Sequence, residues 1–434
     1  MYCHSLITLL FSLSFLNAFV ALAHGTSVDN SHNDLIRMPI AKLLNFTGTG
    51  KMLLRDQARM DHFRLRTNAT LLSGRISARQ APMPTVSVTN ATDQVVDYVV
   101  SVSMAHNDTH LLLVDTGSAN TWVGASKAYV PANSSTSVPT GQYISVHYGS
   151  GEFSGIQYKD TVAFTSGPTV SVQGIGAANS SSGFHGVDGI LGQAPCYRIG
   201  PVDLTNGTLS PDDTACVPTI TDNLFGQGII PSNLVAISFQ PSDTIGSING
   251  ELAFGGTDPA KYISNITYAP TASSLAAMQF FGIEQSISYG NQSKVSIMET
   301  TSGIVDTGTT LTLIPSDAFA NYVSATGAAL DTATNLLSIP AAEYDNLQSL
   351  FFTIGEVLFE FPPNAQIWPR ALNTEIGGTD DNVYLIIGNG GESSAAGVNF
   401  VNGMTFLERF YAVFDTTNHS VGFATTQFTN ATIN

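Results

Sequence analysis

Apolar residues along this chain come in short runs separated by turn residues. The stretches QYISVHYGSGEFSGIQYKDTVAF, NLVAISFQ, NGELAFGG and RFYAVFDTTNHSVGFATT are rich in Val, Ile, Thr, Tyr and Phe, and Gly, Ser, Asn or Pro close each of them. Such runs predict strands and hairpins, whereas the three-to-four spacing of amphipathic helices is scarce. Two short helices are predicted. One is SDAFANYVSATGA, opening at Ser316 behind Pro315, and the other is AAEYDNLQSLF, residues 341–351. The first sustained strand pattern is VVDYVVSVSM, residues 95–104, so the folded body is expected to begin there.

Two of the aliphatic runs end in a carboxylate. LLLVDTGSANTWVG places Asp115 behind Leu111–Val114, and SGIVDTGTTLTLIP places Asp306 behind Ile304 and Val305, 191 residues later. A single Asp-Thr-Gly is usually a turn in which Asp caps its own backbone. Two copies, each driven into the end of an apolar strand and followed by Ser or Thr, form a weak internal repeat. The expected fold is therefore dominated by β structure and bilobal. An N-terminal lobe of about residues 95–265 and a C-terminal lobe of about 275–427 would be related by pseudo-symmetry, with a cleft between them and a few short helices.

In such a cleft the two aspartates would face each other, and their neighbours would each have a task. The aliphatic run anchors each carboxylate rigidly; Gly117 and Gly308 let the backbone approach the partner loop. Thr116 and Thr307 are placed to hydrogen-bond across the interface, and Ser118 and Thr309 to reach the carboxylates. Two carboxyls held within about 3 Å cannot both ionise, so they share a proton. With a water between them, one acts as base and the other as acid, which is amide hydrolysis without a metal or a covalent intermediate. Glycoside hydrolases also pair carboxylates, but about 5 to 9.5 Å apart and without duplicated loops. No His or Cys clusters at metal-ligand spacing and there is no Gly-x-Ser-x-Gly elbow, so no metal, no cofactor and no serine nucleophile are expected.

Composition places this chemistry outside the cell. The chain has 434 residues, 43% hydrophobic and only 11% charged. Residues 1–23 carry no Lys, Arg, Asp or Glu and end in Ala-Leu-Ala, the pattern of a secretory signal peptide rather than a membrane anchor. Eleven Asn-x-Ser/Thr sequons agree with export. Beyond Cys3 only Cys196 and Cys216 remain; a disulfide between them is expected, with two buried thiols as the alternative.

Charge divides the chain. Residues 24–80 hold nine Lys/Arg against four acids, a net of +5, while residues 81–434 hold 7 against 29, a net of -22. This predicts a basic pro-region docked on an acidic body, joined through an exposed linker at residues 81–94 that also contains the mature N-terminus. Residues 428–434 form a polar tail. Most acids in the body lack a basic partner, so the body is expected to be more stable near pH 4 to 5 than near pH 7. Nucleic acid and anionic membrane surfaces are poor partners for it.

The motifs VDTGSANTW, YGSGEFSG, GVDGILG, GIVDTGTTLTLIP and TFLERFYAVFDTTNHSVGFATT stand in an order that resembles the pepsin-like aspartic proteases, and among them the secreted basidiomycete enzymes of the polyporopepsin type. The resemblance spans about residues 95–427. It implies that Asp115 and Asp306 are the catalytic pair and that Tyr148, Gly149 and Ser150 form the tip of a flap. It further implies that Trp122 hydrogen-bonds the flap tyrosine and that Ile190 and Thr310 contact substrate. Gly192, and Gly403 in the second lobe, would let a loop pass close to the active-site strand. The implied protein is a monomeric, secreted endopeptidase, with a vacuolar location as the alternative. It would be made as a zymogen, act on peptides at acidic pH and be blocked by statine-type inhibitors and by its own pro-region. Lys42 and Lys51 are the candidates for the pro-region's blocking lysine. The sequence departs from the family where Ile-Leu-Gly-Asp is common: here it reads Val401, Asn402, Gly403, Met404. A binding protein of this fold without catalysis, and a secreted glycan-binding β protein, are the competing classes.

Overall fold

A computed structural model describes residues 35–46, 52–73, 94–104, 108–165, 167–195, 217–244, 246–270, 272, 274, 276–291, 294–393 and 397–434. The signal segment, Lys51, most of the linker, Cys196 and Cys216 lie outside the described residues.

Among the described residues the architecture is mostly β, in three sheets of 13, 7 and 3 strands. The second half repeats the first strand for strand around the two aspartates. Asp108–Asp115 runs parallel to Gly189–Gly192, which pairs antiparallel with Thr121–Val123, itself parallel to Thr169–Ser182. Likewise Val295–Val305 runs parallel to Val401–Asn402, which pairs antiparallel with Thr312–Ile314, itself parallel to Ile387–Asn389. Each aspartate is thus held at or just past the end of a strand bonded within its sheet and flanked by buried aliphatics: Leu112, Leu113 and Val114 in one case, Ile304 and Val305 in the other.

The 13-stranded sheet crosses the whole chain. One edge is Thr267–Pro270, next to the hairpin of Ser420–Thr425 and Phe410–Asp415, which continues through Leu234–Phe239 and Ile248–Phe254 into a strand from the basic segment, Ile36–Phe46. That strand lies between Ile248–Phe254 and Gln94–Met104, pairing antiparallel with both. A long helix, Met52–Ser73, follows it. Regular structure therefore begins well before residue 95. The strand is IRMPIAKLLNF, short of β-branched residues and interrupted by Pro39, so its pairing partners, and not its own propensity, fix it as a strand.

The first helix predicted in the second lobe forms as Ser316–Thr326 and ends at Gly327, whose φ of 70° supplies a left-handed cap. The second does not extend as expected. Ala341–Asn346 makes a 3-10 turn, and Leu350–Ile354 is instead a strand between Gly282–Tyr289 and Val357–Phe361. A β-rich run beside two open strand edges gains more from ladder bonds than from a further helical turn.

Candidate active site

The two Asp-Thr-Gly loops meet back to back. Thr116 N–H donates to Thr307 Oγ1 at 3.0 Å, and Thr307 N–H donates to Thr116 Oγ1 at 3.0 Å. Each hydroxyl then donates across the interface: Thr116 Oγ1 to the Val305 carbonyl at 3.2 Å, and Thr307 Oγ1 to the Val114 carbonyl at 2.7 Å. This buried reciprocal set sets the spacing of the two carboxylates beside it.

Each carboxylate is held by the same two donors of its own loop. Asp115 accepts from Gly117 N–H at 2.9 Å and from Ser118 Oγ at 2.5 Å. Asp306 accepts from Gly308 N–H at 3.0 Å and from Thr309 Oγ1 at 2.5 Å. The glycines are required by proximity. A Cβ on Gly117 would sit 2.5 Å from Asp306 Oδ1, and one on Gly308 would sit 2.7 Å from Asp115 Oδ1. Behind them, a Cβ on Gly192 would lie 2.5 Å from the Ala119 backbone, and one on Gly403 would lie 2.2 Å from the Leu311 carbonyl. Asp306 N–H is held by the Asn402 carbonyl at 3.1 Å. Asn402 is in turn locked by a buried reciprocal amide pair with Gln285.

A guanidinium occupies the space between the carboxylates. Arg59, on the long helix, donates from Nε to Asp306 Oδ2 at 2.7 Å and from Nη2 to both Asp115 Oδ1 at 2.5 Å and Asp306 Oδ1 at 3.1 Å. One nitrogen therefore bridges the pair. Burial pushes Asp115 up to about 6, helped by the charge of Asp306 and opposed by Arg59 and by its own loop donors. Burial also opposes ionisation of Asp306, but the charge and hydrogen bonds of Arg59, with Thr309 and Gly308, outweigh it and hold this carboxyl below its ordinary value. The environment separates two chemically equal groups into a proton holder and an anion.

The structure brings together Asp115, Asp306 and the neighbours named from the sequence, Thr116 to Ser118 and Thr307 to Thr309, and adds Arg59, which the sequence did not single out. Lys42 is elsewhere: it is buried against Glu408 at 2.6 Å, in the sheet. The correction has a geometric cause. Lys42 lies on the strand paired within the sheet, whereas Arg59 lies on the helix and reaches both carboxylates. Its buried stripe, Met52, Leu53, Asp56, Arg59, Met60 and Phe63, follows helical spacing, and two charged residues interrupt it. Charges inside such a stripe are the signal that marks them for partners. Asp56 accepts from the N–H groups of Thr310 and Leu311 at 3.1 and 2.8 Å, just past the Asp306 loop, and burial raises its carboxyl to about 7. Arg55 pairs with buried Asp97 at 2.9 Å.

The hairpin of Val138–His147 and Glu152–Phe164 carries Tyr148, Gly149 and Ser150 at its tip. Tyr148 is buried among Trp122, Phe153 and Phe184. Trp122 stacks on Phe153 at 4.3 Å, and Ile190 pairs with Trp122 across the neighbouring strands. Trp122 Nε1 finds no hydrogen-bond partner among the described residues, so the bond to Tyr148 implied by the resemblance is not made here; the rings stack at 6.5 Å. The tip rests on the helix. Gly149 has a φ of +77°, and a Cβ on it would lie 2.2 Å from the Ala58 carbonyl. Among the described residues no three His, Cys, Asp or Glu side chains gather as metal ligands, and no helix is long and apolar enough to cross a membrane.

A duplicated carboxylate loop in a two-fold β frame defines the aspartic endopeptidases, and the chain belongs to that family: the eukaryotic aspartyl protease model matches residues 97–426. The chain is 57% identical to polyporopepsin from Irpex lacteus over 345 residues, 79% of this chain and 98% of that protein. It is 31% identical to human gastricsin over 73% of this chain and 77% of that one. The crystal structure of the aspartic proteinase from Irpex lacteus superposes with a TM-score of 0.72, at 57% identity, covering 78% of this chain and 96% of that chain.

Proposed function

We propose that the protein is a secreted zymogen whose mature form cleaves peptide bonds at acidic pH, with Asp115 and Asp306 as the catalytic pair. The observation that carries this is the bridge of Arg59 across both carboxylates, made from a basic segment that precedes the family match. The segment is a pro-region. Its strand fills the central sheet, and its helix fills the cleft under the flap.

Once the segment leaves, the pair shares one proton. A water between the carboxyls loses a proton to the ionised one as it attacks the substrate carbonyl; the protonated one donates to the carbonyl oxygen, and the leaving nitrogen is protonated in turn. Gly117 and Gly308 N–H, Ser118 and Thr309 keep each carboxyl oriented through these exchanges. The flap, with Tyr148, Gly149 and Ser150, covers the bound peptide, while Ile190 and Thr310 line its path.

Near pH 6 Asp115 takes up a proton, leaving Asp306 as the anion that holds Arg59. A carboxyl held below its ordinary value by docking contributes stability that is lost as pH falls through its docked value. Asp258, lowered by its hydrogen bond to Arg37 of the strand, acts in the same direction. Release and self-cleavage therefore set in below about pH 4, the ordinary range of a free aspartate.

Incubating the full chain at pH 3 to 5 with denatured protein, with and without a statine-type inhibitor, tests the proposal. Inhibitable cleavage is expected, and Asp115→Asn and Asp306→Asn chains should neither cleave nor mature in isolation. Cleavage that the inhibitor leaves untouched would refute the assignment, and an Asp115→Asn chain maturing at the normal rate would assign maturation to another protease.

A further inference from the structure

The long helix sets a second cation against the second lobe, five residues beyond Arg59. Arg64 donates from Nε to the Val398 carbonyl at 3.0 Å and from Nη1 to the Gly390 carbonyl at 2.7 Å. Among the described residues its ion pair is with Asp61 alone, an exposed neighbour on its own helix, 3.5 Å away. Burial lowers the guanidinium's pKa, with Asp61 opposing. A cation drawn from water is thus met by two peptide carbonyls of the body. Such a cradle suits a flat, forked donor more than a point charge.

The cradle is built by the body itself. Gly390 N–H donates to the Ile314 carbonyl at 2.8 Å, Ser316 N–H to the Gly391 carbonyl at 2.9 Å, and Gly391 N–H to Asn389 Oδ1 at 2.8 Å. On the other side Ser274 Oγ donates to the Gly397 carbonyl at 3.0 Å, and Val398 is fully buried. None of these bonds involves the helix. A side chain at Gly391 would crowd the space, since its Cβ would lie 3.2 Å from Arg64 Nη1. The two carbonyls therefore keep their places when the segment withdraws, and they then face the vacated cleft.

We propose that the Gly390 and Val398 carbonyls form a substrate subsite for an arginine side chain, filled by Arg64 in the latent chain. This rests on the endopeptidase and zymogen reading above. Arg59 marks the reacting centre, and five helical residues advance about 7.5 Å. An extended peptide covers that distance in about two to three residues at roughly 3.3 Å each. The subsite selects an arginine at that remove from the bond cleaved. The guanidinium stays charged throughout the acid range, so the preference persists where the enzyme works.

The test uses the full chain matured at acid pH and a set of peptides with apolar residues at the scissile bond. Norleucine at each of the flanking positions is replaced in turn by arginine, citrulline or lysine. Arginine at one position, two to three residues from the bond, is expected to raise kcat/KM about tenfold over norleucine, the size of a charge-assisted bond gained. Citrulline, which keeps the N–H donors without the charge, should fall between them. An equal gain at every position would show mere attraction to the acidic body and overturn the subsite, as would no gain anywhere. In both of those cases the norleucine peptides are still cleaved and the protease assignment stands. If no peptide is cleaved at all, both fall.

Discussion

Replacing Arg59 with methionine removes the cation from between Asp115 and Asp306 while keeping an unbranched side chain against Phe63, over whose ring the guanidinium now lies at 5.1 Å. Arg59 has 4% of its side chain exposed and makes three N–H to carboxylate contacts. Removing one partner from a buried ionic group costs about 3 to 5 kcal/mol, because charge is left without compensation. Part of this is recovered here, since the freed pair can share a proton. Taking the lower figure, the segment's docking equilibrium weakens by roughly two orders of magnitude, at about 1.4 kcal/mol per factor of ten. A fluorogenic peptide assay at pH 6.5 on the purified full chain should then show activity from Arg59→Met where the native chain is latent. Arg59→Lys should be intermediate, because an ammonium keeps the charge but lacks the flat fork that reaches both carboxylates. An Arg59→Met chain that melts cooperatively at neutral pH yet stays as latent as the native one would refute the reasoning.

The remaining predictions concern stability and pH. Gly403→Ala should lower stability by about 1 to 3 kcal/mol, since its Cβ would lie 2.2 Å from the Leu311 carbonyl and the loop behind Asp306 must shift; a melting temperature equal to the native one would contradict this. Thr307→Val removes the acceptor of Thr116 N–H and the donor to Val114, at a cost of about 1 to 3 kcal/mol, read as a lower denaturation midpoint with kcat reduced more than KM is raised. Docking raises the Asp56 carboxyl to about 7, so the docked helix binds a proton that the free one does not. On this account docking strengthens as pH falls from 7 toward about 4, opposite in sign to Asp306. In Asp56→Asn that gain should vanish from the thermal stability of the full chain between pH 7.5 and 4.5, and an unchanged pH slope would exclude it. The matured body, with net -22 in residues 81–434, should melt higher near pH 4 to 5 than near pH 7; a melting temperature rising steadily toward neutrality would count against charge repulsion as the cause.

Much of the site was legible because its geometry is written twice in local sequence. Aliphatic runs ending in Asp-Thr-Gly set Asp115 and Asp306 at strand ends, and the residues one to three places on, Thr116 to Ser118 and Thr307 to Thr309, make the bonds their chemistry suggests. The strand-rich pattern likewise foretold the hairpin of Phe410–Asp415 and Ser420–Thr425, and the Pro315-Ser316 start signal foretold the helix Ser316–Thr326. The segment 341–351 was misread because short amphipathic runs support either period until a neighbouring strand edge is present.

What the sequence alone determined, then, is what depends on neighbours in the chain: strand periodicity, the repeated carboxylate loops, and the split of charge between a basic segment and an acidic body. Which cation meets the carboxylates was decided only in three dimensions. Lys42 and Arg59 lie in the same basic stretch, yet one is spent on Glu408 within the sheet and the other reaches Asp115 and Asp306. Composition fixes the sign of that attraction, but long-range pairing of Ile36–Phe46 between Ile248–Phe254 and Gln94–Met104 aims the helix at the carboxylates, and such pairing depends on partners 48 or more residues away along the chain.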